Sequence, residues 1–170
     1  MKNSFCMPQP EEIHFTPDQN IKALSWKEPF ASLMLKGKLI ETRSWDTNYR
    51  GWVLMCASKQ PYTLEIVKQI TFSAEAELPY RNMTDKVKQL IGDNLYLRQY
   101  PMLGKAFAIG WLCHSRLMNW SDEYEAFVAH QYGLYSHIYT AVQPIEPFDW
   151  KGAQEWQNVS DDVKNKIKLI

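Results

Sequence analysis

Residues 21–59 read IKALSWKEPFASLMLKGKLIETRSWDTNYRGWVLMCASK, and this stretch decides the fold. Residues 21–26 (IKALSW) alternate enough to form a first strand. Pro29 stands where a first helical turn accepts it, so PFASLMLKG reads as a short helix with Gly37 as its left-handed cap. Residues 39–43 (LIETR) are a second strand, with Glu41 and Arg43 on one face and Ile40 and Thr42 on the other. DTNYRG (46–51) is a turn. WVLMCA (52–57) is apolar almost throughout, the pattern of a third strand buried on both faces.

The same alternation of strand and helix continues beyond this block. Pro61 is read as opening a helix through about Phe72, and Thr84 as capping a second, interrupted at Gly92. GKAFAIGWLCHSRLM (104–118) is the longest strand signal, with Gly110 at a bend or bulge. An acidic helix over 119–132, a strand over 135–145, a short strand within 151–159 and a helical tail complete the chain. Strands separated by helices of unequal length predict an α+β fold, a small mixed β-barrel with flanking helices packed outside. Residues 1–20 hold Pro8, Pro10 and Pro17 and no periodicity, and read as an extension to a single domain over 21–170.

Composition narrows the function. The 170 residues are 45% hydrophobic and 22% charged, an ordinary globular balance, but the 14% aromatic fraction is high, with seven Trp to accommodate. Net charge is zero. Residues 21–60, however, carry Lys22, Lys27, Lys36, Lys38, Arg43, Arg50 and Lys59 against Glu28, Glu41 and Asp46, an excess of four positive charges. Local positive charge in a neutral protein suits a small anionic target better than long tracking along DNA. Cys6, Cys56 and Cys113 are odd in number and lack metal-ligand spacing. His114, His130 and His137 form no ligand pair, and neither a metal nor another cofactor is expected. No signal peptide, transit peptide or membrane-length apolar run is visible, so a reduced, cytoplasmic setting without membrane contact is the expectation.

The densest chemistry is KGKLIETRSWDTNY (36–49). A carboxylate at Glu41 flanked by Lys38 and Arg43 stays ionised, because opposite charge offsets its desolvation. Such a trio suits a polar planar ligand, with Glu41 accepting from an exocyclic amine while the cations take carbonyl or phosphate oxygens. Trp26, Trp45 and Tyr49 are near enough in sequence to offer a stacking wall, with Arg50 beside them. Ser25 reads as a hydroxyl at a strand end lining the cleft, without the Gly-rich elbow of a nucleophile. Lys151-Gly152-Ala153-Gln154 lacks phosphate-loop spacing. Trp52, Trp111 and Trp120 are assigned to the core.

These motifs carry a resemblance. Leu24-Ser25-Trp26, Pro29-Phe30-Ala31-Ser32-Leu33, Lys38 with Glu41-Thr42-Arg43-Ser44-Trp45, and Tyr49-Arg50-Gly51 running to Ala57-Ser58-Lys59 resemble the opening of the ASCH family, a branch of the PUA-like superfamily. AFAIGWLC (106–113) and IEPFDWKGAQEWQNV (145–159) look like its later strand and closing segment. The resemblance implies a PUA-like barrel with a cleft beside the first helix, lined by the motif Lys, Glu and Arg, with Gln154 reaching it. It also implies binding of RNA, other single-stranded nucleic acid, or a nucleoside or nucleotide. One branch of the family hydrolyses acylated cytidine nucleosides, using the motif Lys to activate a Thr. Here the Thr position holds Glu41, and Thr42 is on the other strand face. A hydrolase of an N-acylated cytidine-type nucleoside then requires Lys38 and Glu41 as the catalytic pair acting on water. The usual Gln before Pro is Glu28, which the resemblance sets near the pocket rim.

Overall fold

The computed structural model describes residues 14–16, 19–73, 83–153 and 155–170. Most of the expected extension lies outside them, as does Gln154. Phe15 packs edge-on against Trp52, ring centroids 5.6 Å apart.

The elements follow the sequence pattern closely. They are β1 (Ile21–Trp26), α1 (Phe30–Met34), β2 (Ile40–Arg43), β3 (Gly51–Ala57), α2 (Leu64–Thr71), α3 (Met83–Ile91), α4 (Asn94–Leu97), β4 (Lys105–Leu117), α5 (Glu123–Ala126), β5 (Tyr135–Asp149), β6 (Gln157–Asn158) and α6 (Asp161–Lys164). Helix α2 starts later than Pro61 suggests. Thr63 is its cap, and its hydroxyl oxygen accepts from the Ile66 N–H. Thr84 lies inside α3 rather than before it. The acidic segment after β4 is only a 3-10 turn (Trp120–Asp122) and α5, which ends where Phe127 takes a left-handed conformation (φ +58°). Trp120, assigned to the core, is about half exposed.

One six-stranded sheet runs β2-β5-β4-β3-β1-β6. β1 and β3 are parallel, while the other pairs are antiparallel. β3 is buried along its whole length. Trp52, Leu54 and Cys56 pack into one cluster with Ile21, Ile109 and Ile167. Val53, Met55 and Ala57 pack into another with Trp26, Phe107 and Tyr139. A third cluster, around Leu33, Val67, Val87 and Phe127, seats the helices. Register shifts against β5 occur at Ile109/Trp111, placing Gly110 at a bulge. A Cβ there would meet Met55 Cε at 2.4 Å, so only glycine fits without repacking.

The expected α+β fold is present, and its six strands form an open mixed sheet. Among the described residues no ladder joins β1 to β2, and β2 and β6 are the edges of the sheet. A side chain crosses the gap instead, Arg43 Nη2 donating to the Ser25 carbonyl at 2.8 Å.

Candidate functional site

That crossing point is the floor of a cleft of about 950 Å³ between the sheet end and the helices. Lys38, Glu41 and Arg43 all line it. Glu41 lies between the cations, its Oε2 3.2 Å from Lys38 Nζ and its Oε1 3.3 Å from Arg43 Nη2. Strand alternation accounts for the Glu41–Arg43 pair, and the left-handed turn at Gly37 (φ +94°) returns the chain so that Lys38 precedes β2.

The two cations differ in what they have left to give. An ammonium has three N–H donors. Lys38 gives them to the Ile40 carbonyl, to the Ala126 carbonyl at 2.8 Å and to Glu41, with only 1% of the residue exposed. Burial pulls its pKa down, and Glu41 opposes that shift. Lys38 therefore ties β2 to α5 and fixes Glu41, with no donor over for a ligand. A guanidinium has five donors, and Arg43 spends one nitrogen on Ser25 and Glu41. Its Nε is buried without a partner, as is the Ser25 hydroxyl. Both atoms are shut away from solvent, the Ser25 hydroxyl against Gly152, so the donors left for a ligand are those of the guanidinium's other terminal nitrogen.

The aromatic wall differs from the expected one. Trp26 is buried, its ring 5.7 Å from the Arg43 guanidinium carbon and edge-on to Tyr139. Trp45 packs on His137 and Trp156, and Tyr49 on Trp156. Tyr49 also donates its hydroxyl to the Trp52 carbonyl at 2.6 Å. Arg50 donates to the carbonyls of Thr47 and Tyr49, closing its own turn. None of Trp26, Trp45, Tyr49 and Arg50 lines the cleft, whose aromatic residues are Phe30, Tyr62 and Trp150. The packing of Trp45 and Tyr49 onto Trp156 separates them from the cleft, and Trp26 belongs to the core around Tyr139.

Glu28 is also displaced from the expected rim. It is fully buried and caps α1, accepting from Ser32 N at 2.9 Å and Ser32 Oγ at 2.8 Å. Burial raises its pKa, with both Ser32 bonds working against the shift. Behind the trio, His137 faces Glu41 in the β2–β5 register, and its Nε2 lies 3.1 Å from the Trp45 carbonyl. Burial lowers its pKa.

Sequence reasoning missed several lining residues, among them Lys27, Tyr62, Lys59 and Lys151. Lys27 and Lys59 lay in the positively charged block, and this was the available signal. The cleft holds five cationic side chains, the trio's Lys38 and Arg43 with Lys27, Lys59 and Lys151, against two carboxylates, Glu41 and Asp149. Among the described residues, no cluster of His, Cys, Asp and Glu is placed to hold a metal ion. No helix among them is long and apolar enough to cross a membrane.

Comparison with solved structures identifies this arrangement of elements. The structure is similar to the crystal structure of a mutant of the ZmASCH protein from Zymomonas mobilis, with a TM-score of 0.50 over 87% of this chain and 96% of that one. The chain has the ASCH fold. At 12% sequence identity the likeness is one of fold. No family model and no curated protein matches the sequence. Within the ASCH fold, the cleft described above opens beside α1, where the motif residues meet.

Proposed function

We propose that this ASCH domain binds a nucleobase in its cleft, carried on RNA or other single-stranded nucleic acid or on a free nucleotide. The observation that carries this reading is the Glu41 carboxylate held by two cations at the cleft, beside an Arg43 guanidinium that keeps donors not spent on Ser25 or Glu41. Together they offer a donor and an acceptor to the edge of one planar ligand, which is how a base edge is recognised. Phe30 and Tyr62, rings 6.0 Å apart, supply apolar surface at the same cleft. The cation surplus supports an anionic ligand over a neutral one.

The test is a titration of wild type and Arg43→Ala with a labelled single-stranded RNA and a panel of nucleosides at two salt concentrations. Binding that wild type shows and Arg43→Ala loses supports the reading. Equal binding by both proteins overturns it. A second reading rests on the 3.2 Å Lys38–Glu41 pair, in which Glu41 acts as base on a water attacking an N-acylated cytidine-type nucleoside. Water would add across the amide, releasing a carboxylic acid and the free amine. Incubation with acetylcytidine tests it, with cytidine release lost in Glu41→Gln as the supporting result.

A further inference from the structure

One lip of the cleft is built from the ends of three strands. β1 and β3 run parallel, with Trp26 opposite Ala57, so Lys27 and Lys59 leave the sheet at the same end. β4 starts there, with Ala106 opposite Cys56. β5 finishes there, with Asp149 opposite Lys105, which brings Lys151 to the same lip. Backbone hydrogen bonds join the three exits in series. Ser58 N–H donates to the Trp26 carbonyl at 2.7 Å, Gly104 N–H to the Ala57 carbonyl at 2.9 Å, and Trp150 N–H to the Gly104 carbonyl at 2.9 Å. The lip thus extends the sheet's hydrogen-bonding beyond its strands.

All three lysines line the cleft, and none has a carboxylate within ion-pair distance among the described residues. Two of the three are nevertheless held in place. Lys27 Nζ sits 5.0 Å from the Tyr62 ring centroid. The Lys59 stem lies on Gly104 (φ +71°), where an added Cβ would come within 3.1 Å of Lys59 Cγ. Three cations gathered on one rim repel one another, and a bound anion of high charge relieves that repulsion.

We propose that this lip is a phosphate subsite and that the cleft takes a phosphate-bearing nucleotide. The phosphate lies against Lys27, Lys59 and Lys151, and the base points to Arg43 and Glu41. This rests on the base-pocket reading above. The phosphate is either terminal, on a free mononucleotide, or internal to a strand.

Calorimetric titration of the full chain separates these cases, using cytidine, cytidine 5′-monophosphate and a short oligocytidylate without terminal phosphate. Wild type is expected to bind the monophosphate roughly tenfold more tightly than cytidine, the scale of one charge-assisted hydrogen bond. Lys59→Ala/Lys151→Ala brings the monophosphate's affinity down to that of cytidine, with an unchanged melting temperature showing that the fold persists. The same gain for the oligocytidylate assigns the lip to an internal phosphate, and its absence there to a terminal one. Equal affinity of wild type for cytidine and its monophosphate overturns the subsite while leaving the base pocket standing. A gain that survives the double variant overturns it as well. Failure of all three ligands to bind overturns both readings.

Discussion

Two buried charges on either side of α1 have opposite consequences for stability. Lys38 is satisfied by three acceptors, and removing it strands all three: two main-chain carbonyls and a carboxylate left with Arg43 alone. Lys38→Met keeps the length of the stem and deletes the ammonium. It is expected to destabilise by about 2–4 kcal/mol in denaturant unfolding, since unpaired buried partners cost more than a net hydrogen bond gains. A loss below about 0.5 kcal/mol would mean that Lys38 does not hold β2 to α5. Glu28 is the reverse case, because burial raises its folded pKa above the ordinary 4.5. The folded protein then holds a proton that the unfolded chain releases, so Glu28 lowers stability as pH rises from about 4.5 through its folded pKa. Glu28→Gln can still accept from Ser32 N–H while its amide donates to the Ser32 hydroxyl. The variant's stability relative to wild type is therefore expected to increase with pH over that window and then level off. Unfolding curves measured from pH 4 to 8 check this, and a pH-independent difference would overturn it.

At the level of elements, the cleft depends on how closely the β5–β6 connection lies against the end of β1. A Cβ on Gly152 would fall 1.9 Å from Ser25 Oγ and 3.1 Å from Ser25 Cβ. Gly152→Ala must displace the serine hydroxyl or the connection itself, at a cost of about 1–3 kcal/mol. Removing the hydroxyl relieves the worse contact. In a double-mutant cycle, Ser25→Ala/Gly152→Ala is expected to be less destabilised than the two single variants added together. Strict additivity would show that the two segments do not press on each other. Much at this scale was legible in the sequence. The period-2 pattern of IETR, the apolar run of GWVLMCA and the bulge at Gly110 followed from local rules. The part of β5 beyond residue 145 did not, because Pro147 argues against a strand, and it is pairing with the start of β4 that carries it on to Asp149. The trio was legible because Lys38, Glu41 and Arg43 fall within six consecutive residues. The lysine lip was not, because sheet topology alone brings Lys151 to Lys27 and Lys59. The aromatic wall was misplaced for the converse reason. Trp45 and Tyr49 are close to the trio in sequence, but they pack onto Trp156, a residue more than a hundred positions away.

Considered as a whole molecule, this is a neutral chain with its excess positive charge gathered at one cleft. An open sheet strapped by Arg43 leaves that cleft reachable from solvent, and the protein elsewhere offers no net attraction for a polyanion. These two facts fix how binding should respond to salt. A long basic track releases many counterions, so its affinity falls steeply as salt rises. A cleft presenting Lys27, Lys59 and Lys151 to a single strand neutralises about three phosphates at most. With a contribution of about 0.7 per phosphate for single strands, log affinity against log salt should then have a slope no steeper than about −2. Fluorescence anisotropy with a labelled single-stranded oligonucleotide between about 50 and 200 mM salt measures it, and Lys59→Ala/Lys151→Ala should flatten it to no steeper than about −0.7. A slope near −5 would require cations well outside the cleft and would move the binding surface elsewhere on the protein. A slope near zero with retained affinity would leave the base contacts to do the binding and the lysines without a phosphate to meet.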